Sequence, residues 1–223
     1  AENLNGIQLG LFNVARNSPV PFTILFNMHT GHDGPRKTGY IDAGWTPFQF
    51  ALYMPGQIFS ESTAVHGLRI NAFYGTSRSV NGLDLGFLNF SGAVNGLQIG
   101  AGHVVNGDFS GLQLGLTSVN TGDVHGISLN PLVAYTEGSM NGFSLSLVAW
   151  TAGPVRGMQL GFLLNRMEES SFPQIGGTNM ARKAPVQIGW IGNFSEFNTP
   201  IGQIAPLANI NLKDSGIQLS AAV

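Results

Sequence analysis

The chain has 223 residues, a formal net charge of −2 and no cysteine, and only 10% of its residues are charged. This composition excludes a disulfide framework, a thiolate metal site and a cysteine nucleophile, and it gives no electrostatic basis for binding nucleic acid. Because soluble domains usually carry about 25% charged residues, we expect either that much of the surface faces lipid or partner protein, or that the surface consists of neutral Asn, Gln, Ser and Gly.

The first predicted elements are β-strands. Residues 4–10 (LNGIQLG) read apolar-x-Gly-apolar-polar-apolar-small, and short aromatic and branched runs follow at 21–28, 38–45 and 48–54. Runs of this kind between turn residues are typical of strands. No apolar run approaches the ~20 residues of a membrane helix, so a spanning form must be a closed barrel. We also expect that a signal peptide has been removed.

From residue 65 onward the opening phrase returns with a nearly constant period. Its glycine stands at 67, 82, 96, 111, 126, 142 and 157, in steps of 14 to 16 residues, and a partial copy is centred on Gly216. Within each copy aliphatic residues alternate with glycine and small polar residues, which indicates a strand. Further strands are predicted at 185–194 and 202–212. A period this regular means one structural unit used many times.

Each copy carries one polar residue in a fixed slot, two positions after the repeat glycine. This slot is the one repeated polar surface and therefore the candidate site; it would line a lumen or a flat face. Its members are Gln8, Arg69, Asp84, Gln98, Gln113, Ser128, Ser144, Gln159 and Gln218.

Two architectures fit the pattern. The favoured one is an antiparallel up-and-down transmembrane β-barrel of about fourteen strands, a single repeat-built domain over residues 1–223 whose aliphatic face meets lipid and whose copies at Gly6 and Gly216 close the ring. The alternative is a parallel β-solenoid with one coil per repeat and an aliphatic core. Arg69 and Asp84 distinguish them, because only the solenoid stacks the two residues directly.

The segments 48–59 (FQFALYMPGQIF), 65–70 (VHGLRI), 73–75 (FYG) and 80–86 (VNGLDLG) resemble a bacterial surface-repeat family with tandem GLQLGLVN-like repeats. The similarity covers most of residues 4–166 and is poor over 167–215. The N-terminal stretch is similar to the end of such arrays, which suggests a permuted or tandem arrangement. The resemblance implies export and an outer-membrane or cell-surface setting, and it implies no reaction.

No motif predicts catalysis or a cofactor. His29, His32 and Asp33 share one predicted loop, but a solvated polar loop is the simpler interpretation than a metal site, and no nucleophile elbow occurs. We therefore expect a non-enzymatic protein of the bacterial outer membrane or cell surface, with a structural or passive-pore role. The alternative is a secreted or surface-attached solenoid acting as an adhesin or assembly module. Expected partners are the lipid bilayer, a protein bound through loops 29–37 and 167–184, or further copies of the chain.

Overall fold

The computed structural model describes residues 6–14, 22–29, 41, 43–53, 56–196, 199–213 and 215–221. The chain divides into two compact units, Ala1–Arg36 and Lys37–Val223. The single domain expected over residues 1–223 remains a prediction. Strands, turns and bends make up the described part of the chain, which contains no helix.

The first unit holds an antiparallel pair of strands, β1 (Gly6–Val14) and β2 (Phe22–His29). The second unit holds a sheet of 17 strands. Its strands are β3 (Trp45–Tyr53), β4 (Gly56–Gln57), β5 (Ala64–Ser77), β6 (Ser79–Ser91), β7 (Val94–Ile99), β8 (Gly102–Val105), β9 (Phe109–Leu114), β10 (Thr117–Asn120), β11 (Val124–Leu129), β12 (Val133–Thr136), β13 (Met140–Thr151), β14 (Val155–Glu169), β15 (Gln174–Lys183), β16 (Val186–Ser195), β17 (Thr199–Ile204), β18 (Ala208–Asn211) and β19 (Ser215–Leu219).

The second unit is a parallel β-solenoid, so the expected antiparallel barrel is wrong. Every repeat glycine from Gly67 to Gly157 pairs with the glycine of the next copy in a parallel ladder. Arg69 lies directly opposite Asp84, as only the stacked arrangement allows. The terminal copies do not close a ring, since β1 pairs with β2 and β19 pairs with β17.

Each coil has two strand segments, which form a front face and a back face. The front ladder contains the repeat phrase and runs from β3 through β7, β9 and β11 to β19. The back ladder runs through β8, β10 and β12 to β18. Long strands such as β6 and β14 pass from the front ladder to the back ladder across one corner, where their pairing shifts register.

The repeat glycines stack because no other residue fits their backbone. Gly111 and Gly126 have φ of 130° and 131°, a region that L-residues with a side chain rarely adopt. A Cβ on either would overlap the carbonyl oxygen of the equivalent glycine one coil earlier. In the coils that carry it, the glycine of the repeat is thus a steric requirement of this close stacking.

The interior of the solenoid is polar, which reverses the polarity expected of the solenoid alternative. Slot residues such as Gln98 and Gln113 have no exposed surface, whereas the aliphatic neighbour Ile99 is 37% exposed. One side of the core is apolar and consists of residues from the beginning of each front strand, including Val80, Val94, Phe109 and Val124. The packed interior also removes the physical basis for a passive, porin-like pore, which requires an open lumen.

The two corners of the coil differ in chemistry. At the corner from front to back the exposed side chains are apolar, and successive coils are joined by backbone hydrogen bonds such as Leu116 to Ala101 and Leu132 to Leu116. We call this row the apolar edge: Phe73, Phe87, Ala101, Leu116, Leu132, Leu147, Phe162, Leu163, Ile191 and Leu207.

The opposite corner, where the back strand turns into the next front strand, is the charged edge. Apart from the buried Arg69 and Asp84, every charged side chain that the structure describes lies at this corner or within two residues of it. They are Glu61, Arg78, Asp108, Asp123, Glu137, Arg156, Arg166, Glu168, Glu169, Arg182, Lys183, Glu196 and Lys213.

Two segments, 29–37 and 167–184, are expected from the sequence to be contact loops. Residues 167–184 are mostly strand, because β14 extends to Glu169 and β15 begins at Gln174. Their charged residues belong to the charged edge and not to a long loop. Residues 30–37 of the other expected loop lie outside the described residues.

Replacing Gly111 by alanine should destabilise the solenoid by ~2 kcal/mol or more, because the new Cβ meets backbone and the backbone conformation becomes strained. Gly44→Ala is the matched control, since a Cβ there has open space around it. Chemical denaturation of both variants measures the difference. Equal stability of the two would contradict the stacked-glycine arrangement.

Candidate functional site

The predicted slot residues come together as one internal column. Arg69, Asp84, Gln98, Gln113, Ser128, Ser144 and Gln159 are all buried, and successive members pair in register. Gln218 belongs to the same column but is exposed in the last coil. The side chain of Gln8 lies outside the described residues. The column therefore lines neither a lumen nor an outer face.

A fully buried ion pair lies near the N-terminal end of the column. The Nε and Nη2 atoms of Arg69 donate to the two carboxylate oxygens of Asp84 at 2.7 and 2.6 Å. The remaining guanidinium hydrogens are taken by Ser77, Ser91 and the carbonyl of Phe90 at 2.6 to 2.8 Å. All donors of the arginine are thus satisfied, which is the condition for holding such a pair away from water.

Glutamine amides continue the column from the ion pair. Gln98 donates to Asp84 at 2.8 Å, and Gln113 donates to Gln98 at the same distance. Near the other end Gln187 donates to Gln174 at 2.7 Å, and Gln203 donates to Gln187 in turn. Parallel in-register stacking places like amides one strand spacing apart, so each supplies the partner that the next one needs.

Sequence reasoning missed four members of this column, Gln49, Gln174, Gln187 and Gln203, all with at most 1% of their surface exposed. None has a glycine two residues before it, which was the signature used to find the slot. A common signal exists at Gln174 and Gln187, where the sequence reads Gln-Ile-Gly. The glycine that follows the glutamine would have identified them.

That following glycine makes room for a second column on the back ladder. A Cβ at Gly86 would overlap the Asn89 amide oxygen, and a Cβ at Gly115 would overlap the His103 ring. In the two coils that carry serine in the slot, at Ser128 and Ser144, the small and the polar residue exchange places between the front and back ladders. There Asn130 replaces the glycine and donates to Ser128 at 2.7 Å, and Ala134 takes the back-ladder position.

His103 is the titratable member of the second column. Its Nε2 lies 2.9 Å from the carbonyl oxygen of Leu114, and its Nδ1 lies 3.4 Å from the Asn89 amide nitrogen. These partners suit a neutral ring with hydrogen on Nε2. Burial lowers the pKa of His103 below 6.5, although the Leu114 bond and the charge of Asp84 act in the opposite direction.

Outward-facing apolar rows flank this polar interior and form the second candidate surface. Front-face residues such as Ile127 and Ile204 are 44% and 47% exposed. Aromatic rings add to the back face, where Tyr135 and Trp150 pack with centroids 5.9 Å apart and the Arg166 guanidinium lies 4.6 Å above the Trp150 ring. Apolar surface on this scale usually marks an interaction site.

The charged edge is organised by backbone hydrogen bonds. Asp108 accepts from the backbone N–H of Asp123 at 2.9 Å, and Asp123 accepts from that of Ser139 at 2.7 Å. The Ser139 N–H holds the pKa of Asp123 below its usual value. Each carboxylate therefore ties its turn to the next coil.

Neither a metal centre nor a membrane helix is found in the described part of the chain. No group of three or more metal-binding side chains occurs there, and no helix there has the length and hydropathy to cross a membrane. The side chains of His29, His32 and Asp33 lie outside it. The absence of an enzymatic activity and of a cofactor stays a prediction.

Comparison with known proteins adds no relative, since no family model, no curated protein and no solved structure matches the chain.

Replacing Arg69 by glutamine should cost about 3–5 kcal/mol, because Asp84 then becomes an unpaired buried carboxylate. The double variant Arg69→Gln/Asp84→Gln should recover most of this loss, since it extends the glutamine column. A double-mutant cycle by chemical denaturation measures both effects. Additive losses would show that the two residues do not form the pair described.

Acidification should destabilise the solenoid through His103. Its pKa is lowered in the folded state, so the unfolded chain binds more protons once the pH falls through about 6.5, and the free energy of unfolding then decreases. Melting temperatures at pH 7.5 and 5.5 measure this effect. His103→Asn is the control, because Asn89 occupies the equivalent position one coil earlier. An equal loss in that variant would assign the effect to another group.

Proposed function

We propose that this protein is a surface-attached β-solenoid that serves as an assembly or adhesion module of a bacterial envelope. The observation that carries the proposal is the reversed polarity of the coil. Gln98 and its neighbours are sealed inside, whereas large aliphatic and aromatic side chains face outward on the front ladder, the back ladder and the apolar edge. Exposing a surface of this kind to water is unfavourable, and covering it lowers the free energy.

The interior supports a structural role and not a binding role. Its slot residues are hydrogen-bonded to each other, as in the pairs Arg69–Asp84 and Gln113–Gln98, and the column is closed to solvent along most of its length. Five buried side-chain oxygens beside it have no hydrogen-bond partner: those of Asn71, Ser118, Asn130, Ser146 and Asn179. A ligand would have to break several buried hydrogen bonds to enter. The outer surface is therefore the part of the coil that meets a partner.

The resemblance to the surface-repeat family supports the setting. Export to the outer membrane or cell surface is consistent with the cysteine-free, weakly charged sequence. It is also consistent with a fold whose backbone groups are satisfied by stacking, since stacked strands need no water to complete their hydrogen bonds. Attachment through apolar rows requires no dedicated active site.

Sedimentation velocity of the purified chain with and without a non-ionic detergent tests this proposal. We expect aggregation or broad self-association in plain buffer and a single species in detergent. The variant Ile99→Thr/Ile127→Thr, which keeps strand-forming residues on the front face, should associate less than the parent. His125→Thr, at an exposed polar position of the same face, is the matched control.

A chain that stays monomeric and folded in buffer without detergent would contradict the proposal. So would equal association of the two variants, because the apolar front row would then play no part in it.

A further inference from the structure

The two edges of the coil divide the solenoid lengthwise. Thr121, Asp123 and Glu137 represent the charged edge, and Leu116 and Leu132 represent the apolar edge of the same coils. This division recurs in most of the described coils, although the turn at 91–93 carries no charge and the corner at 176–178 carries no large apolar side chain, so the solenoid has one charged long side. Among the described residues of this unit, the remaining three sides carry no charged side chain more than two residues from that edge.

Polarity also changes stepwise across the front face. Next to the charged edge stands a polar row that includes Asn95, Ser110 and His125, paired in register. The following rows are aliphatic, as at Leu97 and Ile99, and they lead to the apolar edge. Outward polarity thus decreases in one direction, from the turns toward the opposite corner.

From this arrangement we infer that the solenoid lies along a lipid bilayer, with the apolar edge and the adjoining parts of both faces in the acyl layer of one leaflet and the charged edge in water. The inference rests on the proposed surface attachment and specifies what covers the apolar surface. The chemistry recognised is that of a lipid acyl phase, and the charged edge stays at headgroup level.

The dimensions of the coil fit this placement. At about 3.3 Å per strand residue, the apolar rows from Leu97 to the apolar edge extend on the order of 15 Å. One leaflet of a bilayer has a hydrocarbon depth of about half of 30 Å. The solenoid can therefore lower its apolar rows into one leaflet without bringing the charged edge below the surface.

The same geometry favours lipid over a second copy of the chain. A partner protein that packs on one face covers that face and leaves the other face and the apolar edge in water. An acyl phase covers all three together. Amphipathic helices that lie in the membrane interface use the same division of polarity around their axis, here built from stacked strands.

The ladders also provide the backbone hydrogen bonds that a lipid environment requires of strands. Within the stack each front and back strand is hydrogen-bonded to both neighbouring coils. Only the first and last coils of a solenoid present open strand edges, so its long sides offer lipid no open strand edge.

Single-cysteine labelling of the full chain tests the inference, because the sequence contains no cysteine. Leu132→Cys places an environment-sensitive fluorophore on the apolar edge, and Thr121→Cys places it on the charged edge. With neutral phosphatidylcholine vesicles we expect a blue shift for the label at 132 and quenching by lipids that carry a spin label on the acyl chain. The label at 121 should keep its emission in water.

Vesicle flotation gives an independent measurement. Leu116→Asp/Leu132→Asp should move the chain from the floating fraction to the bottom of the gradient, whereas Thr121→Asp, with a carboxylate on the charged edge, should float like the parent. All three positions are exposed, and circular dichroism confirms that each variant is folded.

Three outcomes would overturn the inference. Labels at 121 and 132 that shift equally show attachment without this orientation, and an Asp variant that floats like the parent shows that the apolar edge does not enter lipid. A label at 132 that is already blue-shifted in a defined dimer, and unchanged by vesicles, assigns the surface to a second copy. Detergent dependence in sedimentation would persist in that last case, so the inference can fail while the proposed function stands.

Discussion

Parallel in-register stacking is the constraint on which the rest of the structure depends. It places each residue directly above the same residue of the preceding repeat, about 4.8 Å away. The residue type at each position must therefore be compatible with the same residue type in the adjacent coil. Glutamine meets this condition well, because its amide both donates and accepts, as Gln113 and Gln98 show. Glycine meets it where the coils come too close for any side chain.

Charges satisfy the same condition only in particular ways. Arg69 above Asp84 is a complementary pair within the column, and it occurs where two successive copies carry opposite charges. Asp108 and Asp123 stack as like residues only at the turns, where backbone N–H groups and water compensate them. The confinement of other charges to the charged edge thus follows from stacking as well as from any partner.

Much of this fold could be predicted from the sequence, and the parts that could not have identifiable causes. The period located the strands and turns, and the slot at Arg69 and Asp84 was correctly identified as the position that separates a solenoid from a barrel. Alternation with a period of two shows that a strand has two faces but not which one is inside. Aliphatic residues were assigned to the core or to lipid on hydropathy alone, whereas the stacked amides of Gln98 and Gln113 satisfy one another and can be buried.

The second error, the missed slot residues and the expected loop at 167–184, concerns coils whose sequence departs from the repeat motif. Around Gln174 and Gln187 the glycine before the slot is absent and the turns carry Glu168, Glu169, Arg182 and Lys183. A search based on the glycine therefore ended early, and the charges suggested a loop. In the structure those charges stand where every other coil places its polar turn, so the array continues without a break.

Strand pairing joins each coil to the coil before it and the coil after it, so most of the stability accumulates by nearest neighbours along the axis. Removing or duplicating a coil such as that of Gln98 leaves the new neighbours matched in the repeat glycine and in the slot amide, whereas the coils of Arg69 and Asp84 depend on each other. The length of the molecule is therefore free to change in whole steps under selection without redesign of the core. A globular domain, whose interior is closed in three dimensions, has no comparable freedom.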